Sequence, residues 1–195
     1  MFKLFFGSFA AAIAMFFAGF FYFAGPLATI AYTDANETQS ASVQAALAAN
    51  LPETGTYMIP NLRTPSGTTL YGKGPVATVH YNSKGFQAEA MDGMIWGFGL
   101  YLIVAFLMAG GLSQLDRRVP DFKSRAVVVV CFAFAASALI TLGNPIWLHH
   151  DWGYAIFAFL GEALVLCIGG LVLARWFLPT VAVLPETPVA TLPPV

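Results

Sequence analysis

Charge is scarce in this chain. Asp, Glu, Lys and Arg make up 10% of its 195 residues, while 58% are hydrophobic. A soluble domain carries about 25% charged residues, so this balance excludes an ordinary water-soluble fold. The formal net charge of −1 leaves no basic footprint and argues against a nucleic-acid partner. Cysteine is nearly absent. Cys131 and Cys167 both fall inside apolar runs, where thiols are usually inert packing residues. No cysteine pair lies in a polar segment, which sets aside the four-span thiol-redox proteins. A Gly-rich phosphate loop ending in Lys and Ser or Thr is missing, as are Gly-x-Ser-x-Gly and His-Glu-x-x-His. These gaps point away from an enzyme.

What the chain has is apolar length. Residues 4–31, 94–112, 126–142 and 154–173 form four long runs that hold one charged residue, Glu162. Each is a candidate membrane span. The last two are joined by Asn144-Pro145-Ile146-Trp147-Leu148-His149-His150-Asp151-Trp152. That polar turn with two Trp suits a helical hairpin meeting the headgroups. The first run is longer than the apolar core of a secretory signal, about 7–15 residues, so an uncleaved helix is expected. Thr29-Ile30-Ala31 keeps a cleaved signal as the alternative.

Small residues recur at three- and four-residue spacing. Gly7, Ala10, Ala11, Ala14 and Ala18 line the first run; Gly93, Gly97, Ala105 and Ala109 line the second. Such stripes let helices approach closely in lipid.

Residues 32–92 break the apolar pattern and form the one sizeable polar insertion. Thr38-Gln39-Ser40-Ala41-Ser42 offers hydroxyl caps for a short helix. Val43, Ala46, Leu47 and Asn50 give it a weak helical period ending at Pro52. Gly55–Pro60 and Pro75–Asn82 read as strands, rich in β-branched and aromatic residues. Residues 61–74, with Pro65, Gly67, Gly72 and Gly74, read as a long loop. A two-stranded ribbon is marginal in water, so the insertion is expected to lean on the helices or on another protein. Leu51-Pro52-Glu53-Thr54-Gly55 matches a sortase sorting signal in letters. It sits far from the C-terminus, and a Pro-terminated helix followed by a Gly turn is the preferred reading.

Basic residues set the topology. Lys3, Arg117, Arg118, Lys123, Arg125 and Arg175 fall on one side of a four-span arrangement. The positive-inside rule then places both termini in the cytoplasm, with 32–92 and the His149-His150 turn on the outer face. A tail with Pro179, Pro185, Pro188, Pro193 and Pro194 follows Trp176 and favours extended conformers.

Chemistry-bearing residues are few. Glu162 lies near mid-membrane, where a carboxyl usually faces a bundle interior or a polar path. It is a proton-relay candidate, or a neutral Glu bonded to Thr141, Ser137, Tyr101 or a partner subunit. His149, His150 and Asp151, with His80, are weak metal-ligand candidates. Adjacent residues rarely reach one ion, however, and interfacial His beside Trp more often contacts headgroups. No span holds His, so bis-histidine haem is not expected. The reading therefore assigns no cofactor and no metal.

The order of features resembles small, uncharacterised four-span inner-membrane proteins of bacteria. The segments Leu51–Pro60 and Gly74–Tyr81 between the first and second spans carry the resemblance, which covers residues 1–176. It implies topology and a bacterial inner-membrane location, and transfers no activity.

The expected fold is an all-α membrane protein of four transmembrane helices with a small extracytoplasmic α/β or β-hairpin insertion. Its parts are 1–31, 32–92, 93–175 and a Pro-rich cytoplasmic tail, 176–195. The expected function is non-catalytic: an accessory or assembly subunit of a larger inner-membrane complex, respiratory or photosynthetic. Its partners are the lipid bilayer and other membrane subunits. The alternatives are a proton-coupled transporter using Glu162 and a sensor binding a ligand at Tyr57, His80 or Tyr81.

Overall fold

A computed structural model describes residues 2–87, 91–115, 118–119 and 121–178. Arg117 and the Pro-rich tail therefore lie outside the described residues. Among those described, four helices are long and apolar enough to cross a membrane, as a multi-pass membrane protein requires. They span Phe2–Phe23, Met91–Leu115, Phe122–Leu148 and Trp152–Phe177, with mean hydropathies of 2.1, 2.0, 2.5 and 2.4.

The elements in order are α1 (Phe2–Phe23), α2 (Ala28–Ala31), α3 (Glu37–Asn50), β1 (Gly55–Ile59), α4 (Pro65–Lys73), β2 (Ala77–Tyr81), α5 (Met91–Leu115), α6 (Phe122–Ser137), α7 (Gly143–Leu148) and α8 (Trp152–Val172). A wide π-helical turn, Ala138–Leu142, fuses α6 to α7, and a second, Leu173–Phe177, extends α8.

Helices α1 and α8 form the centre. A Cβ at Gly7 would meet Phe177 Cβ at 2.7 Å, and one at Gly161 would meet Phe23 Cζ at 2.5 Å. Between these points Gly169 abuts the Met15 thioether. Positions 7, 15 and 23 thus oppose 177, 169 and 161, so the two helices run antiparallel in steady register. Tyr22 adds a hydrogen bond from its hydroxyl to the Phe157 carbonyl, 3.0 Å, and its ring stacks on Phe157 at 4.7 Å. Helix α5 packs on α1 and α6 on α8, and both reach Gly170 of α8, through Met108 and Val129. An apolar groove of about 490 Å³, lined by Met108, Leu112, Val129 and Phe132, lies between α5 and α6.

The small-residue stripes differ from the sequence expectation. Gly7 and Ala11 are buried, joined by Ser8, Ala12, Met15 and Gly19; Ala10, Ala14 and Ala18 are half-buried. Ala105 and Ala109 are buried on α5. At Gly93 and Gly97, by contrast, an added Cβ would meet no atom of the described residues within 4 Å. Close approaches between the spans are made at Gly19, Gly161, Gly169 and Gly170, which the spacing rule does not single out. Gly169 and Gly170 are adjacent and serve three neighbours: Gly169 meets Met15 of α1, and Gly170 meets Val129 of α6 and Met108 of α5. Cys131 is exposed on the outer face of α6 and Cys167 half-buried; both are free thiols. Cys131 is thus not the packing residue that its apolar setting suggested.

The third span is longer than expected. The sequence reads Asn144-Pro145 as a turn, but the helix continues to Leu148. Proline lacks an N–H, and its ring collides with the carbonyl four residues back. The π turn relieves this by opening the helix just before Pro145. Its Thr141 hydroxyl donates to the Ser137 carbonyl at 2.6 Å. The chain reverses only at His149, whose φ of 55° and ψ of 34° are left-handed and end the helix. Asp151 then caps α8, accepting the Tyr154 N–H at 2.7 Å.

In the insertion, β1 and β2 pair antiparallel from Gly55 opposite Tyr81 to Ile59 opposite Ala77. The expected loop 61–74 holds a helix, α4, over Pro65–Lys73. Thr64 accepts the Gly67 N–H at 3.1 Å, and Pro65 fills the first helical turn, where its missing N–H costs nothing. Helix α3 is capped by Asn36 rather than by a hydroxyl. Asn36 Oδ1 accepts from Gln39 N, and Gln39 Oε1 accepts from Asn36 N. The sortase-like pentapeptide is built into the ribbon: the Ser83 N–H donates to Thr54 Oγ1, 3.1 Å, and Tyr57 donates to the Glu53 carbonyl, 2.8 Å.

Candidate functional site

Two places gather the polar residues. The first is mid-span on α8. Glu162 is exposed on the bundle surface rather than enclosed by it. It borders a cavity of about 190 Å³ with Met15, Gly97, Leu100, Tyr101 and Val104. This cavity lies where α5 and α8 flank α1. The alternation of large and small residues on α8 explains the placement. Gly161 and Ala163 turn inward on either side of Glu162, so the carboxyl points out. Of the partners expected for it, Thr141 and Ser137 belong to the π turn and its preceding residue. Tyr101 alone shares the Glu162 cavity. Among the described residues Glu162 makes no hydrogen bond or ion pair.

The open glycines belong to the same place. Gly97 lines the Glu162 cavity, and Gly93 lies one turn before it on α5. Helix α5 is the least enclosed span and α8 the most enclosed. Trp96 of α5 is 78% exposed.

The second place is the end of the bundle where α7 stops. The sequence groups His149, His150, Asp151 and His80 as weak ligand candidates. The fold gives them separate tasks. His149 is the left-handed reversal, and its ring faces Tyr71 at 5.9 Å. Asp151 is the α8 cap. His80 lies on β2, its Nδ1 3.1 Å from Thr56 Oγ1. Among the described residues no three His, Cys, Asp or Glu side chains converge as a metal would need. His80 and His150 nevertheless border one groove of about 820 Å³ between the ribbon and the end of α7. Arg63, Asn61, Asn144 and Leu148 line it too. The sequence groups His80 with His150 but gives no signal that Arg63, Asn61 or Asn144 joins them.

At the opposite end, Arg125 is 1% exposed, and its Nε donates to the Val119 carbonyl at 2.7 Å. It is one of the basic residues that set the expected topology, and its side chain is folded inward. Asp121 caps α6 through the Ser124 N–H, 2.9 Å. That bond, with the Ser124 side chain, holds its carboxyl below the usual Asp range. Arg175 lies over the Phe122 ring at 5.7 Å, a cation–π contact closing α8 against α6.

No protein-family model matches this chain, and no curated protein or solved structure matches it.

Proposed function

We propose that this chain is a non-catalytic accessory or assembly subunit of a larger inner-membrane complex. Its partner-facing surface is the α5/α8 seam that carries Glu162. One observation supports this: an exposed carboxyl at mid-span stands beside glycines where an added Cβ would meet nothing among the described residues. A charged group at the bilayer centre costs on the order of 3 kcal/mol, and such groups are normally paired. A partner helix with a hydrogen-bond donor or cation at matching depth would offset that cost. Gly93 and Gly97 would let its backbone come close. No Lys, Arg or His lies mid-span in this chain, so a second copy would not supply the cation. The basic residues favour cytoplasmic termini, with the insertion on the opposite side.

The test is photo-crosslinking in native membranes. A photoreactive residue at position 97 is expected to capture one partner polypeptide; the same group at Leu139, exposed on the third span and outside every groove described, is expected to capture lipid. Glu162→Lys should abolish the protein adduct and Glu162→Gln should weaken it. Lipid adducts at both positions, together with a lone monomer in mild detergent, would sink the subunit reading.

A further inference from the structure

The groove between the ribbon and α7 has a one-sided chemistry. Its ionisable lining groups capable of positive charge are Arg63, His80 and His150, and among the described residues no Asp or Glu lines it. Among the described residues no carboxylate pairs with the Arg63 guanidinium. Asn61 adds a neutral donor. Its Oδ1 is committed to the Arg63 N–H at 3.0 Å, which leaves the amide NH₂ for the groove. Thr56 holds the His80 ring by its Nδ1, so Nε2 stays available. A cavity with these donors and no competing acid suits an oxyanion, and the planar guanidinium favours phosphate oxygens.

The walls narrow the ligand class further. Met58, Leu62 and Leu148 give the groove an apolar side. Leu148 is also the last residue of the third span, so the groove opens at the level where that span leaves the bilayer. Phosphate groups of lipids are concentrated at that depth. We propose that this groove binds a phosphate-type oxyanion, with the phosphodiester of an anionic phospholipid as the occupant the walls fit best. The site is separate from Glu162 and stands or falls without the partner reading.

The full chain in detergent is the material, and native mass spectrometry with a thermal-shift assay is the readout. Phosphatidylglycerol is expected to be retained over phosphatidylcholine and to stabilise the protein. Arg63→Gln should weaken retention by about tenfold, the loss of one charge-assisted bond, and Arg63→Lys should recover part of it. Lys84→Gln, an exposed basic residue of the insertion outside the groove, should change nothing. Inorganic phosphate separates the two sources. If phosphate competes with the lipid, the headgroup is the ligand; if phosphate alone shifts the melting of the native chain and not of Arg63→Gln, a free oxyanion is. Equal retention of both lipids with no phosphate effect would overturn the site. So would equal losses in Arg63→Gln and Lys84→Gln, which would signify a diffuse field rather than a groove.

Discussion

The Met15 thioether fills the notch that Gly169 leaves in α8, so closely that a Cβ at residue 169 would collide with it. One residue on, Gly170 presents the same absence of a side chain to Val129, where a Cβ would sit 2.5 Å from Cγ1. The neighbours differ in stiffness. Methionine turns about three side-chain bonds, whereas valine is nearly fixed at χ1. Gly169→Ala is therefore expected to cost less than about 1 kcal/mol, and Gly170→Ala about 1–3 kcal/mol, the usual range for overpacking. Equilibrium unfolding in mixed micelles measures both. The reverse order would mean that the α8–α6 contact is looser than described.

Tyr22 tests the α1–α8 seam by a different force. Tyr22→Phe keeps the stacked ring and removes the bond to the Phe157 carbonyl. The expected loss is about 0.6 kcal/mol, the mean for hydrogen bonds between membrane helices. Tyr22→Ala should lose a further ~0.5–1.5 kcal/mol with the aromatic pair.

Asp121 gives a pH dependence whose sign is fixed. Its carboxylate accepts the Ser124 N–H, and its folded pKa lies below the ordinary value. The unfolded chain therefore takes up the proton first as the medium is acidified. The contribution is complete above the ordinary Asp pKa and is lost as the pH falls through the lowered folded value. Asp121→Asn retains a cap and should flatten the acid limb of the stability curve. Asp121→Ala should be less stable than the native chain at neutral pH. Acid titration of unfolding in micelles distinguishes the three.

Topology is open to labelling. In a chain with Cys131 and Cys167 replaced by Ala, Lys84→Cys and Lys123→Cys both place a thiol at an exposed residue. An impermeant maleimide applied to intact cells should modify position 84 and spare 123 until the membrane is opened. Modification of both from outside would remove the proposed orientation.

The four spans and the two strands are legible in the residues alone. Long runs without charge admit few alternatives when the only cheap solvent for them is lipid. The sequence also marked Glu162 as the costly residue. It misread 61–74, because Gly and Pro were counted as breakers while Thr64-Pro65 is a helix start. It misread Asn144-Pro145 for the same kind of reason, since a π turn is not visible in composition. Tertiary structure decided which small residues matter. Spacing names a stripe, but only the neighbour's shape tells that Gly169 holds Met15 while Gly97 faces open space. It added Arg63 to His80 and His150 in one groove. Their separation along the chain hides this, because side chains from distant segments meet only after the backbone has paired and packed.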